Sequence, residues 1–309
     1  MRITLSALIL TLIVSFDSNA AIFADTTKLE GRWDLTLIVD GKESPSWLEV
    51  THSGHKTLVG HFVGVVGSAR PVSEIKVDGN KFSFAIPPQW ESGENDMKVE
   101  GTWTGKQLTG TVVFPDGKSC SFKGVRAPAL RRKEGTPGKP VNLIQKTGTA
   151  GWEAMGPNQW VVENGILKSP KSGSNLVTTE KFNDFKLHVE FRYPKGSNSG
   201  IYLRGRYEVQ VMDSQGNDPV PGEFGGVYGF IAPSEQVAKA AGEWQTYDIT
   251  LVGRMITVVA NGKTIISNQE IPGITGGALD SKEGEPGPLM LQGDHGPVEY
   301  RNIVITPLK

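Results

Sequence analysis

Asn198-Ser199-Gly200-Ile201-Tyr202-Leu203-Arg204-Gly205-Arg206-Tyr207-Glu208-Val209-Gln210-Val211-Met212-Asp213 is a run in which apolar and polar side chains alternate. A two-residue period is that of a strand, because successive side chains point to opposite faces. Ile201 and Leu203 fall opposite Tyr202 and Arg204, and Tyr207, Val209 and Val211 fall opposite Glu208, Gln210 and Met212. The period continues on both sides. Leu187, Val189 and Phe191 oppose His188, Glu190 and Arg192; Leu289 and Leu291 oppose Met290 and Gln292; Thr246–Val252, Met255–Val259 and Tyr300–Ile305 alternate likewise. Asn261-Gly262, between Val259 and Thr264, is a strong hairpin signal. One short helix is expected from Glu235 to Ala241, with Ser234 as N-cap, Lys239 in the last turn and Gly242 just past the end. Residues 140–309 therefore read as a β-sandwich with one short helix.

Working toward the N-terminus, residues 29–125 read as short strands about ten residues apart, punctuated by Asp40-Gly41, Ser53-Gly54, Asp78-Gly79 and Asp116-Gly117. Gly60, Gly101 and Gly110 each lie mid-strand, where a missing side chain lets a small barrel bend sharply. Residues 21–126 are expected to form a small antiparallel up-and-down β-barrel, loosely lipocalin-like, opening on Gly31-Arg32-Trp33. Residues 127–139 are charged, rich in Pro and Gly and without a period, the composition of a linker. Residues 1–20 carry Arg2, an apolar run from Ile3 to Phe16 and the small residues Ser18-Asn19-Ala20, which together read as an export signal with Ala21 as the mature start. The expected location is periplasmic or extracellular, with no stable membrane insertion once the signal is cleaved.

Composition agrees with an all-β chain. Its 38 Gly and 19 Pro residues make up about 18% of 309, against roughly 12% in average proteins. Lys and Arg number 32 against 33 Asp and Glu, so the charge footprint of a nucleic-acid binder is missing. The single cysteine, Cys120, cannot form an intramolecular disulfide and alternates with Phe122 as a core residue would.

Several strands of the second region place a long polar residue opposite the apolar face: Glu190, Arg204, Glu208, Gln210 and Gln292. A solvated sandwich face explains that pattern by itself. The residue types point further, because Tyr, Arg, Gln, Glu and His beside glycines suit a sugar, whose hydroxyls need fixed partners and whose C–H face needs an aromatic. Gly293-Asp294-His295-Gly296 adds a histidine held between glycines at a strand end.

Four stretches carry a resemblance. They are Asn198 to Gly205, Tyr207 to Asp213, Gly242-Glu243-Trp244-Gln245-Thr246-Tyr247, and Leu291-Gln292-Gly293-Asp294-His295-Gly296-Pro297-Val298-Glu299-Tyr300-Arg301-Asn302-Ile303. In that order and spacing they resemble the 3-keto-disaccharide hydrolase domain family over about residues 140–309, beginning with Pro140-Val141-Asn142-Leu143 and Gly151-Trp152. The resemblance implies a concanavalin A-like jelly roll. It departs from many members in the extra Gly293 and in the long loop from Gly276 to Pro288.

The resemblance further implies a substrate whose C3 hydroxyl a separate sugar 3-dehydrogenase has already oxidised to a ketone. The ketone acidifies the proton on C2, so its removal gives an enolate that expels the group on C1, and water then adds. Such a path needs a base, an oxyanion partner and an acid. On that basis Arg204 and Gln292 are assigned to the oxyanion and His295 to proton transfer. Glu208 and Asp213 are assigned to proton transfer or to ligation of a divalent cation, and Glu190, Tyr202, Gln210 and Asp294 to substrate contact. A cation on Glu208, Asp213 or His295 would supply an electrophile, though no ligand spacing demands one.

Two other readings share the fold. A retaining glucanase carries a Glu-x-Asp-x-x-Glu strand; here Gln210 cannot ionise and Asp213 is one methylene shorter than glutamate. A non-catalytic carbohydrate-binding module needs only the aromatic and amide groups, leaving Glu208 and His295 dispensable. In the first region Trp47 and Trp90 are the aromatics to consider for a glycan, packing being the commoner role for either, and His52, His55 and His61 carry no metal motif.

Overall fold

The computed structural model describes residues 29–309, and the export signal expected over residues 1–20 lies outside them. Among the described residues every helix or strand assigned is a strand. The first eight are β1 (Gly31–Val39), β2 (Lys42–Ser53), β3 (Thr57–Val63), β4 (Arg70–Asp78), β5 (Lys81–Ile86), β6 (Met97–Trp103), β7 (Gln107–Val113) and β8 (Ser119–Arg126). Each pairs antiparallel with the next and β8 returns to β1, closing the barrel. The strand-centre glycines make the bends possible. A Cβ on Gly60 would sit 2.0 Å from the Glu49 carbonyl oxygen, and one on Gly110 2.1 Å from that of Glu100, so only glycine lets these neighbouring backbones approach.

Inside the barrel Trp33, Leu35, Phe62, Phe82, Leu108 and Phe122 pack together with Cys120, whose thiol burial pushes up. Trp33 Nε1 donates to the Leu29 carbonyl at 2.8 Å, and the Arg126 guanidinium lies 3.8 Å over its ring. Arg126, the last residue of β8, thus stacks on a ring of β1 at the seam where the barrel closes, a contact worth on the order of 1 kcal/mol.

The second unit comprises β9 (Val141–Asn142), β10 (Trp152–Ala154), β11 (Val161–Glu163), β12 (Ile166–Ser169), β13 (Leu176–Phe182), β14 (Asp184–Arg192) and β15 (Asn198–Leu203). It continues with β16 (Tyr207–Met212), β17 (Gln245–Val252), β18 (Met255–Ala260), β19 (Lys263–Glu270), β20 (Gly287–Leu291) and β21 (Val298–Leu308). One sheet has the order β10-β13-β20-β15-β16. The other runs β11-β12-β21-β14-β17-β18-β19, with β9 added on β21. Between them lies an aromatic core in which Phe191 meets Tyr247 at 4.6 Å and Phe224 at 5.9 Å between ring centres. The β18–β19 hairpin turns at Asn261-Gly262, both with positive φ, as the dipeptide signals.

The helix expected over Glu235–Ala241 does not form; that segment has no regular structure. Side chains take its backbone groups instead. Gln245 accepts from the Lys239 N–H and donates to the Lys239 carbonyl, Asn261 donates to the Val237 carbonyl, and Gln236 accepts from the Ala238 N–H. A seven-residue helix is marginal on its own, so these bonds decide the conformation.

Residues between β8 and β9 are docked on the sandwich. Thr136 exchanges two backbone hydrogen bonds with Lys309, Gly138 N–H donates to the Pro307 carbonyl, and Arg132 pairs with Asp184 at 2.9 Å. Barrel and sandwich also share a core. Trp47 and Val63, both barrel residues, are buried in the sandwich cluster, and Trp47 meets Phe230 edge-on at 5.3 Å. Gly273 makes room for the indole, since a Cβ there would lie 2.2 Å from Trp47 Nε1.

Candidate active site

Strands β15 and β16 pair so that Tyr202 lies opposite Glu208 and Gly200 opposite Gln210. Alternation turns these four away from the sandwich core, which Ile201, Leu203, Val209 and Val211 fill. Next to β16 the chain from Gly225 to Ile231 extends the sheet edge. Tyr228 N–H donates to the Glu208 carbonyl, Gln210 N–H donates to the Gly226 carbonyl, and Val209 bridges Val227. On the other side Met290 pairs with Tyr202, and Gln292 N–H donates to the Gly200 carbonyl. Two rows result: Met290, Tyr202, Glu208 and Tyr228 in one, and Gln292, Gly200, Gln210 and Gly226 in the other.

Glu208 is the centre of this face. Its side chain leans over Gly200, where a Cβ would come within 2.2 Å of Oε1. Only 3% of the residue is exposed. Tyr202 Oη lies 2.9 Å from Glu208 Oε2 and 3.0 Å from the Gly276 carbonyl oxygen. Burial pushes the Glu208 carboxyl up to about 8; the Tyr202 hydrogen bond and the charge of His295 oppose the shift, and Asp294 adds to it. His295 Nδ1 sits 2.6 Å from Asp294 Oδ1, and that bond raises the imidazole pKa despite partial burial. Both residues stand on the loop after β20, half exposed.

Three buried oxygens on this face have no partner: Gln210 Oε1, Gln292 Oε1 and Asn198 Oδ1. Gln210 is 4% exposed and Gln292 9%. An acceptor left unpaired in such a place costs about 1–3 kcal/mol, and sugar hydroxyls are donors that would satisfy it.

The structure thus brings together Glu208, Tyr202, Gln210, Gln292, Asp294 and His295, and it separates three other candidates from them. Arg204 has φ +53°, so the strand alternation that placed it beside Tyr202 stops at Leu203. Its side chain turns to Tyr207 Oη at 3.1 Å and the Gly253 carbonyl at 2.7 Å, within a buried cluster holding Glu283 and Arg254. Asp213 accepts from the Gly196 N–H at 2.8 Å, in the turn that precedes β15, and its charge acts on Tyr193, on the core side. Glu190 lies on the outer face of the other sheet, bound by Arg301 at 2.7 Å and by Asn302. These three residues are therefore not positioned for oxyanion binding, proton transfer or substrate contact beside Glu208.

The cation ligand set is also not assembled. Asp213 points away from Glu208, and among the described residues no group of three or more His, Cys, Asp or Glu side chains is arranged to hold a metal ion. Tyr228 lies outside the four motifs, and Asn198, which opens the first of them, is assigned no role by them although its oxygen is unpaired. Tyr228 stands in Gly225-Gly226-Val227-Tyr228-Gly229, which has no strand period and joins the sheet only through tertiary pairing.

Residues 139–306, more than half of the chain, match the family model described as a 3-keto-alpha-glucoside-1,2-lyase-like domain. The chain belongs to this 3-keto-disaccharide hydrolase family. A Bacteroides thetaiotaomicron protein named 3-keto-disaccharide hydrolase is 35% identical over 81 residues, which is 22% of this chain and 28% of that relative. The match thus spans under a third of the relative's length. A solved candidate glycosyl hydrolase from Parabacteroides distasonis is 29% identical, with a TM-score of 0.47 over 58% of this chain and 92% of that one. A Bacillus subtilis carbohydrate-binding module is 10% identical, with a TM-score of 0.36 over 50% of this chain and 93% of that one.

Proposed function

We infer that this protein cleaves the glycosidic bond of 3-keto-glycosides by elimination and hydration, with Glu208 as the group that moves the C2 proton. The observation that carries the reading is the buried carboxyl of Glu208, held by Tyr202 over Gly200 and raised to about 8. A base for a carbon acid needs a pKa near the working pH, and an ordinary exposed glutamate at about 4.3 is too weak.

In this mechanism ionised Glu208 takes the C2 proton, and the C–H electron pair forms the C2=C3 bond of an enolate with its charge on the C3 oxygen. The Gln292 amide donates to that oxygen through Nε2. Return of the electrons breaks the C1–O bond, and His295 protonates the leaving oxygen. Asp294 accepts from Nδ1–H, which fixes the ring and leaves Nε2 to face the substrate. Water then adds across C1=C2, its proton going to C2 and its hydroxyl to C1, so the net reaction is hydrolysis.

Tyr202 has one hydrogen and two acceptors in reach. When Glu208 is protonated, its O–H donates to Tyr202 and Tyr202 donates to Gly276; when Glu208 ionises, the Tyr202 hydrogen turns to the carboxylate. Both protonation states are thereby hydrogen-bonded. The first twenty residues are read as a cleaved export signal, so the reaction takes place outside the cytoplasm; N-terminal sequencing of the mature chain, expected to begin at Ala21, tests this.

The deciding experiment incubates the full chain with a disaccharide and its 3-keto derivative in deuterated water. Release of free sugar from the keto form alone, with deuterium entering at C2, is the expected result. Cleavage of the unoxidised sugar would favour the glucanase reading, and binding without cleavage a carbohydrate-binding module. Cleavage without deuterium at C2 would overturn the enolate route.

A further inference from the structure

Trp90 is the most exposed of the large hydrophobic side chains among the described residues, at 69%. It stands on the barrel, in the loop between β5 and β6. An exposed indole on a mobile loop would carry no argument, but this loop is fixed. Glu91 Oε2 accepts from the backbone N–H of Gln89 at 2.9 Å and of Trp90 at 3.2 Å, and both Glu91 oxygens are bound by the Arg70 guanidinium. Arg70 also donates to the Pro87 carbonyl at 2.9 Å, and its pair with Glu91 is nine-tenths buried. Gln89 completes the brace, its Oε1 accepting from Ser68 N–H at 2.9 Å.

The braced indole reaches the catalytic face. A Cβ on Gly67 would lie 3.2 Å from Trp90 Cδ1, and the indole stands near enough to Tyr228 to act on its hydroxyl; Tyr228 in turn is the neighbour of Glu208 across the sheet edge, close enough for the Glu208 charge to act on it. The barrel touches the same wall twice more. A Cβ on Gly276, whose carbonyl accepts from Tyr202, would lie 2.1 Å from the Gly67 carbonyl oxygen, and one on Gly229 would lie 2.7 Å from Ser68 Cβ. The β3–β4 loop, whose Ser68 braces Gln89 beside Trp90, thus also packs against the backbone to which Tyr202 is bonded.

We propose that the barrel supplies a sugar subsite of the active site, in which Trp90, held by the Arg70–Glu91 brace, stacks on the C–H face of the substrate ring that is not oxidised. This rests on the reading of Glu208 as the reacting group. Trp90 is then a binding and specificity residue. A disaccharide gains from it, whereas a 3-keto-glycoside with a small alkyl leaving group, lacking the second ring, gains nothing.

The test compares wild type, Trp90→Ala and Trp90→Phe as full chains, using trehalose, cellobiose, maltose, their 3-keto forms and methyl 3-keto-glucoside. Binding is followed calorimetrically and turnover by sugar release. Trp90→Ala is expected to weaken binding or raise KM about tenfold for the disaccharides, with kcat within about twofold, an unchanged KM for the methyl glycoside and an unchanged melting temperature. Trp90→Phe is expected to recover most of the loss. Unchanged disaccharide binding and KM in Trp90→Ala would overturn the subsite while leaving the cleavage reading intact. Disaccharide binding that depends on Trp90, without cleavage of any keto form, would support the subsite and overturn the cleavage reading. A wild-type chain that neither binds nor cleaves any of these sugars would overturn both.

Discussion

Replacing Glu208 by Gln separates the chemistry of the carboxylate from its cost to the fold. Gln keeps the shape and still accepts from Tyr202, but it cannot ionise. In the wild type the carboxyl has its ordinary value near 4.5 when unfolded and about 8 when folded. The folded state therefore holds its proton more tightly, and stability falls as pH rises between those two values, levelling off above the upper one. Between pH 5 and pH 7.5 the two-state titration gives a loss of about 3 kcal/mol, because one pKa unit corresponds to about 1.4 kcal/mol. Subtracting the urea-unfolding free energies of Glu208→Gln and wild type at each pH cancels the other titrating groups. The variant is expected to gain about 3 kcal/mol on the wild type over that interval, while its turnover of a 3-keto-disaccharide falls by on the order of 10²–10⁴-fold. A stability difference independent of pH would refute the buried, raised carboxyl. Retention of turnover within tenfold would refute its role as the proton-transfer group.

Other variants probe the surroundings. Gly200→Ala puts a methyl group 2.2 Å from the place of Glu208 Oε1, so kcat is expected to fall at least tenfold while urea unfolding changes by no more than about 2 kcal/mol. Asp294→Asn replaces the carboxylate whose charged hydrogen bond raises the His295 pKa by a neutral acceptor; the imidazolium then loses its proton at lower pH, and the alkaline limb of the kcat/KM profile is expected to move toward acid. Arg204→Met, in the cluster around Tyr207 and Glu283, is expected to alter the melting temperature but not the pH dependence of kcat/KM. Asp34 is buried in the barrel wall with its pKa raised, first by burial and then by the adjacent Glu283. Asp34→Asn is expected to raise the melting temperature more at pH 8 than at pH 5, which differential scanning calorimetry reads directly.

The barrel and the sandwich were both legible because a two-residue period and Asp-Gly or Asn-Gly turns are local signals, and a strand side chain needs no partner to declare its face. Local signals failed where long-range contacts competed. The helix over Glu235–Ala241 had a plausible cap and end, yet Gln245 and Asn261 took its backbone groups. Alternation put Arg204 beside Glu208 and was defeated by one left-handed residue at the end of β15. Glu190 shows the same limit in another form, since period assigns a side chain to a face but not to one of two sheets, and its face is the outer one of the other sheet.

The sequence by itself determined the all-β character of both regions, the inward and outward sides of the strands around Leu187–Phe191, Ile201–Leu203, Tyr207–Met212 and Leu289–Leu291, and the motif family that made Glu208 and His295 candidates. Only the tertiary structure decided which polar faces meet. It buried Glu208 under Tyr202 and thereby raised its pKa, left the Gln210 and Gln292 oxygens unpaired, and docked the barrel so that Gly67 packs against Gly276, whose carbonyl accepts from Tyr202. The division follows from range. Which face a residue occupies is fixed by its neighbours two positions away. Desolvation and hydrogen bonding depend on groups brought together from distant parts of the chain, as Tyr202 and Gly276 are around one hydroxyl hydrogen.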